Sequence, residues 1–142
     1  MRRVATEYEI QAAIVDALRL AGFTVRETTA YRQKGPSGVD KGSADLLVCH
    51  QAVSNYHFGV CLCIEVKRPG PIKWSSHEQQ QAYEQNEILV AQSVEEALFY
   101  CHHWIYEVCV APFLGLSPLN EQCVRAVDKI WSVIDATKNA GA

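Results

Sequence analysis

Apolar positions near the start of the chain recur at a helical period. Ile10, Ala13, Ile14, Ala17, Leu18 and Ala21 fall on one stripe. Thr6 stands where an N-cap belongs, Glu9 follows at capping-box spacing, and Gly22 closes the segment. The pattern predicts a helix near residues 7–21. The period then drops to two. In "GFTVRETTAYR", Phe23 and Val25 alternate with Thr24 and Arg26, which predicts a strand with a charged end. The stretch "QKGPSGVDKGS" is punctuated by Gly, Pro and Ser and reads as a loop. "ADLLVCH" and "FGVCLCIEVK" read as strands, joined through "QAVSNYH" as a turn or hairpin connection, so antiparallel pairing is expected. "RPGPIK" stops the second strand.

Further along, "SSHEQQQAYEQN" predicts a helix capped by Ser75 or Ser76, "EILVAQS" a short buried strand, and "VEEALFYCHHWIYEV" another helix. A last helix near residues 119–137 should place Val124, Val127, Ile130, Trp131 and Ile134 on one face, with frayed residues after it. The order predicts an α/β or α+β domain, a mixed sheet of about four strands flanked by helices.

Composition adds limits. A chain of 142 residues that is 49% hydrophobic suits one domain with a real core. No apolar run approaches the ~18–20 residues that cross a bilayer, and "MRRVATEYEI" has no apolar stretch behind its arginines. The expectation is a cytoplasmic protein with no membrane partner. The six cysteines include no CxxC pair, so they are expected as small apolar core residues rather than a disulfide framework. Cys61, Cys63, Cys101, His102 and His103 have spacings that fit no common structural zinc site. The net charge of −3 does not by itself suggest nucleic acid, but its distribution is uneven. Residues 1–73 hold ten Lys+Arg against seven Asp+Glu, and residues 74–142 hold three against nine. A DNA-binding surface should therefore lie in the first half.

One stretch departs from simple alternation. In "CLCIEVKRPG", Glu65 and Lys67 end an otherwise apolar strand. Side chains alternate faces along a strand, so Glu65 and Lys67 point one way with Cys61 and Cys63, and Ile64 and Val66 the other. An unpaired buried ion costs several kcal/mol. The two groups must therefore reach water, pair with each other, or serve a cation. Asp45 opens the preceding strand, and pairing of the two strands would bring it close to Glu65. Adjacent carboxylates repel unless a cation sits between them, and hard divalent ions favour such oxygen ligands.

Asp45, a gap, then Glu65-Val66-Lys67 resembles the PD-(D/E)xK nuclease superfamily. The order "TEYEIQAAIVDALRLAGF", "GSADLLV", "CIEVKRPG", "SSHEQQQAY" and "ILVAQSVEEAL" is similar to its virus-type replication-repair nuclease branch, the VRR-NUC domains. The likeness spans about residues 6–105 of a single domain, leaving residues 106–142 as a helical extension. It departs at Ala44, where the family carries a proline that shapes the turn and is not a ligand. The resemblance implies a restriction-endonuclease-like fold and Mg²⁺- or Mn²⁺-dependent hydrolysis of DNA. It implies that Asp45, Glu65 and the Val66 carbonyl bind the metal. Lys67 would orient the attacking water and stabilise the phosphate, and Gln79 would hydrogen-bond near the site.

Glu7 is the helix carboxylate assigned to the same site, as catalytic group and metal ligand. On a helical wheel it falls about 20–60° from Ile10, Ile14 and Leu18, whereas Glu9 falls on the opposite side. Arg32, Lys34, Lys41, Arg68 and Lys73 flank the motif as phosphate contacts. Each residue also has an ordinary reading. Asp45 can cap a turn, Glu65 and Lys67 can form an edge ion pair, and Glu7 can complement a helix dipole. Gln80 and Gln81 leave the register of Gln79 open. The joint pattern favours a nuclease acting on branched, junction or flap DNA. Twofold pairing of a homodimer would suit a four-way junction. A DNA-binding module without turnover is the alternative. A protein interface built on "FYCHHWIY" is a third reading.

Overall fold

The computed structural model describes residues 5–28, 44–55, 59–72, 80–81, 84, 88–110 and 118–140. Helix α1 (Glu7–Leu20) starts at the predicted capping box: Thr6 accepts from the Glu9 amide, and the Glu9 carboxylate accepts from the Thr6 amide. It ends in a Schellman arrangement. The Gly22 and Phe23 amides donate to the carbonyls of Arg19 and Leu18, both at 3.0 Å, with Gly22 at φ 98°. A residue with a Cβ would be strained there. The buried stripe is Ile10, Gln11, Ile14, Val15 and Leu18, while Ala13 faces outward.

Strands β1 (Thr24–Glu27), β2 (Leu46–Cys49), β3 (Leu62–Val66) and β4 (Leu89–Ala91) form one mixed sheet in that order. The pairs β1–β2 and β2–β3 are antiparallel, and β3–β4 is parallel. This is a mixed α/β fold. The expected hairpin between "ADLLVCH" and "FGVCLCIEVK" is present, but its connection holds a short helix, α2 (Gln51–Ser54). His50 caps that helix, its Nδ1 accepting from the Ala52 amide at 3.0 Å. Burial and then Lys129 lower the His50 pKa from its ordinary value. This favours the neutral ring that the cap requires.

Helix α3 (Val94–Ile105) is capped by Ser93 and runs into a π-helical turn over Tyr106–Val110, where continuous α-helix was expected. Helix α4 (Pro118–Ala140) is longer than predicted, because its backbone stays helical where fraying was expected. Its buried face is also rotated: Cys123, Ala126, Ile130, Val133 and Ile134 are buried, whereas Val124 and Trp131 are exposed. Trp131 packs instead at the surface, edge-on to Phe99 and His102 with ring centroids 5.6 and 5.3 Å away. Small residues at positions 123 and 126 suit close approach, since α4 packs on α2, α3 and the π-helical turn. Helices α1 and α3 pack on each other, and both touch β3. Leu46, Val48, Ile64 and Val66 from the sheet join Ile14, Leu18, Leu98 and Ile105 from the helices in one core.

The cysteines need one correction. Cys101, Cys109 and Cys123 are buried apolar residues as expected, but Cys49 and Cys61 form a disulfide across β2 and β3, with Cα atoms 4.9 Å apart. The ladder register explains it: Val48 pairs with Leu62, so the next step outward sets Cys49 opposite Cys61. Directly opposed residues hold their Cβ atoms about 4.5–5.5 Å apart, and no local motif reveals that opposition. The bond closes a loop of sequence separation 12, so reduction should lower stability by about 3 kcal/mol. Urea unfolding with and without dithiothreitol measures this, and Cys49→Ser should match the reduced protein and ignore the reductant. An unchanged midpoint on reduction would contradict the pairing.

Candidate functional site

The β2–β3 register builds the site. Leu46 pairs with Ile64, so one step further along both strands Asp45 stands opposite Glu65. Asp45 is still joined to the β1 side, because its carbonyl accepts from the Thr28 amide at 2.9 Å. Ala44 just before it is buried, and its carbonyl accepts from the Thr28 hydroxyl. Asp45 and Glu65 are 4% and 3% exposed. Among the described residues the other buried polar or charged side chain is Gln11, which donates to the Glu27 carboxylate at 3.3 Å.

Asp45 has a visible structural task. Its Oδ2 accepts from the Val66 amide at 2.9 Å, taking the place of a main-chain partner where the ladder ends. Placing two carboxylates opposite each other in a buried setting costs desolvation and repulsion. The sequence places these groups where β3 leaves the core, and the apolar neighbours on either side, Ile64 and Val66, are fully buried.

Lys67 follows directly. Its amide donates to the Ala91 carbonyl at 3.0 Å, which ties the end of β3 to the end of β4. Its side chain, Glu7, Arg68, Pro69, Pro71 and Ile72 line a cleft of ≈ 380 Å³. Glu7 and Lys67, 60 residues apart in sequence, thus share one cavity, with Glu7 exposed at its edge. Glu9 is engaged by the Thr6 cap, which leaves Glu7 as the carboxylate of the first turn that faces the cleft. Asp45 and Glu65 do not line the cleft. Among the described residues no three His, Cys, Asp or Glu side chains gather as a metal-binding group, so Glu7 does not close a three-ligand cluster with the pair.

Arg68 is exposed at the rim. Arg32, Lys34, Lys41, Lys73 and Gln79 lie outside the described residues, and so does most of the predicted helix "SSHEQQQAYEQN". Gln80, Gln81 and Glu84 within it are helical.

One contributor has no signal in the sequence. Gln92, just after β4, donates through Nε2 to the carbonyls of Arg68 and Gly70, both at 2.8 Å. It therefore fixes the strap of residues 68–72 that forms one wall of the cleft. An isolated glutamine after a short strand carries no motif that could have pointed to it.

A second groove, of ≈ 670 Å³, opens at the other ends of β3 and β4, between Leu62, Leu89 and the α3 residues Phe99, His102, His103 and Trp104. It contains much of the aromatic run read as a candidate interface. Among the described residues no helix is long and apolar enough to cross a membrane. Comparison of the chain with protein-family models, with curated proteins and with solved structures finds no match.

Proposed function

We propose that the chain is a metal-dependent DNA endonuclease of the PD-(D/E)xK superfamily, similar to the VRR-NUC branch and with a restriction-endonuclease-like fold. It would hydrolyse phosphodiester bonds in branched, junction or flap DNA during replication, repair or recombination. The observation that carries this reading is the burial of Asp45 and Glu65 opposite each other, with Lys67 two residues beyond Glu65 and opening into a cleft that also holds Glu7. Functional sites are where like charges are kept together at a cost. The helix before the pair and the helical residues after it give the context the resemblance requires.

The donor set fits a hard divalent cation. Both side chains offer anionic oxygens, which suit Mg²⁺ or Mn²⁺, and positive charge between them offsets their repulsion. Asp45, Glu65 and the Val66 carbonyl would hold the ion, and Glu7 would act from the neighbouring cleft rather than as a third carboxylate on it. When bound, it supplies Lewis-acid stabilisation of charge on the phosphate. The rest falls to the chain. Lys67 orients water and donates hydrogen bonds to phosphate oxygens as negative charge develops. Gln79 adds a neutral donor. Arg68, with Arg32, Lys34, Lys41 and Lys73, neutralises neighbouring phosphates.

The test is a cleavage panel of linear duplex, single strand, flap and four-way junction, each with Mg²⁺ or Mn²⁺. Cleavage of a branched substrate is expected, and Lys67→Ala should slow it about 100-fold or more while binding in EDTA persists. Sedimentation of the same samples reads whether a homodimer engages the junction. Binding without cleavage under every condition would replace the enzyme with a non-catalytic DNA-binding module, a role compatible with Asp45 as a strand-end acceptor.

A further inference from the structure

Resting on the nuclease reading, we propose that the strap of residues 68–72 is a rigid wedge that selects DNA with an unpaired nucleotide beside the cleaved phosphate. Ile72 is then the specificity-determining side chain, and Gln92 the positioning residue that holds the strap.

The strap leaves β3 immediately after Lys67 and forms a wall of the cleft through Arg68, Pro69, Pro71 and Ile72. Its surface is apolar where the neighbouring surface is charged: both prolines are exposed and Ile72 is 38% exposed. One exposed aliphatic residue is ordinary. An apolar tip on a strap whose base is held from three sides is a more specific arrangement. Two prolines within three positions fix φ on either side of Gly70. Gln92 spends both hydrogens of its amide group on the strap's carbonyls, at 2.8 Å each. The Lys67 amide anchors the base of the strap to Ala91. Gly70, at φ 105°, turns the chain at a point where an added Cβ would meet nothing within 4 Å.

Proline and isoleucine are among the side chains proteins wedge against bases, and lysine and arginine are the groups that take phosphates. Here the two sets lie on the same cleft, with Lys67 and Arg68 at its charged side. At ≈ 380 Å³ the cleft sits at the small-ligand end of binding cavities, a size that suits a single nucleotide. A continuous duplex presents a base face only after unstacking, which costs free energy. A nucleotide at a fork or flap already presents one.

The experiment measures binding of the full chain, in EDTA, to a fluorescent continuous duplex and to the same duplex ending in a fork, with metal-dependent cleavage assayed separately. Wild type should prefer the fork by about tenfold or more, the scale of the unstacking cost that a fork avoids. Ile72→Ser and Gln92→Leu should each bring that ratio close to one while duplex affinity stays in place. Arg68→Ala should weaken both DNAs equally. Equal affinity of wild type for fork and duplex, or a ratio unmoved by both Ile72→Ser and Gln92→Leu, overturns the wedge. Fork preference without cleavage overturns the nuclease reading alone, and cleavage without fork preference overturns the wedge alone. Failure to bind either DNA overturns both.

Discussion

Asp45→Asn is expected to abolish metal-dependent cleavage and leave the fold in place, whereas Asp45→Ala should abolish cleavage and destabilise the protein as well. The difference follows from the two tasks assigned to this side chain. Its Oδ2 accepts the Val66 amide at 2.9 Å, and its charge is proposed to hold a divalent ion with Glu65. Asparagine keeps an oxygen for the amide but lacks the anionic charge. Alanine keeps neither and strands a buried N–H, since Val66 has no exposed surface. Loss of a preorganised electrostatic group at a phosphoryl centre costs about 100- to 1,000-fold in rate, so both variants should fall at least that far. An orphaned buried donor costs about 1–3 kcal/mol, and only the alanine variant should show it in urea unfolding.

Magnesium linkage gives a readout that does not depend on turnover. An ion that binds the folded state alone raises stability by about 2.7 kcal/mol at 100 times its dissociation constant. Wild type should therefore melt several degrees higher with Mg²⁺, and neither Asp45 variant should respond. Wild-type cleavage by Asp45→Asn, or an equal Mg²⁺ shift in that variant, would reduce Asp45 to a strand-end acceptor and remove it from the catalytic group.

The parts of this fold that the sequence discloses are those whose causes are local. The start and stop of α1 lie in Thr6, Glu9 and Gly22, each acting on backbone groups within one helical turn. The two faces of β2 follow from alternation, and its antiparallel pairing with β3 from the short connection between them. What stays hidden depends on which residues meet across the chain. The Cys49–Cys61 disulfide and the Asp45–Glu65 opposition come from one register, at opposite ends of the same short ladder. The carboxylate pair could be anticipated because Asp45 and Glu65 interrupt apolar strands at the ends that a hairpin brings together, while the cysteines offered no such cue.

Ile130, Ile134 and the half-buried Val127 keep the expected α4 face while Val124 and Trp131 leave it, because hydrophobic size is a poor guide when packing distance is the constraint. Trp131 suits the rim, where its ring meets Phe99 and His102, and Ala126 and Cys123 take the interior. The Gln92 clamp joins residues 22 and 24 positions apart through a side chain and main-chain carbonyls, a contact with no sequence period at all.

Ile64→Ala is expected to be among the most damaging single changes, costing about 2–5 kcal/mol, the range measured when a large aliphatic side chain is removed from a packed core. Ile64 has no exposed surface and lies in the middle of β3, paired with Leu46 on one side and Leu89 on the other. Both α1 and α3 touch this strand, so the cavity would open where three elements meet and none can close it by moving alone. Domains have only about 5–15 kcal/mol in total, so the loss is a large share, and thermal unfolding should drop by roughly 5–20 °C. The change also sits next to Glu65. If β3 relaxes into the cavity, Glu65 and Lys67 shift relative to Asp45, and cleavage at temperatures where the variant remains folded should fall further than the folded fraction does. Ile72→Ala removes the same atoms from an exposed position and should leave unfolding within about 0.5 kcal/mol of wild type. Comparable losses from the two isoleucines would mean that β3 is not the central element of this core, and the placement of the carboxylate pair would lose its support with it.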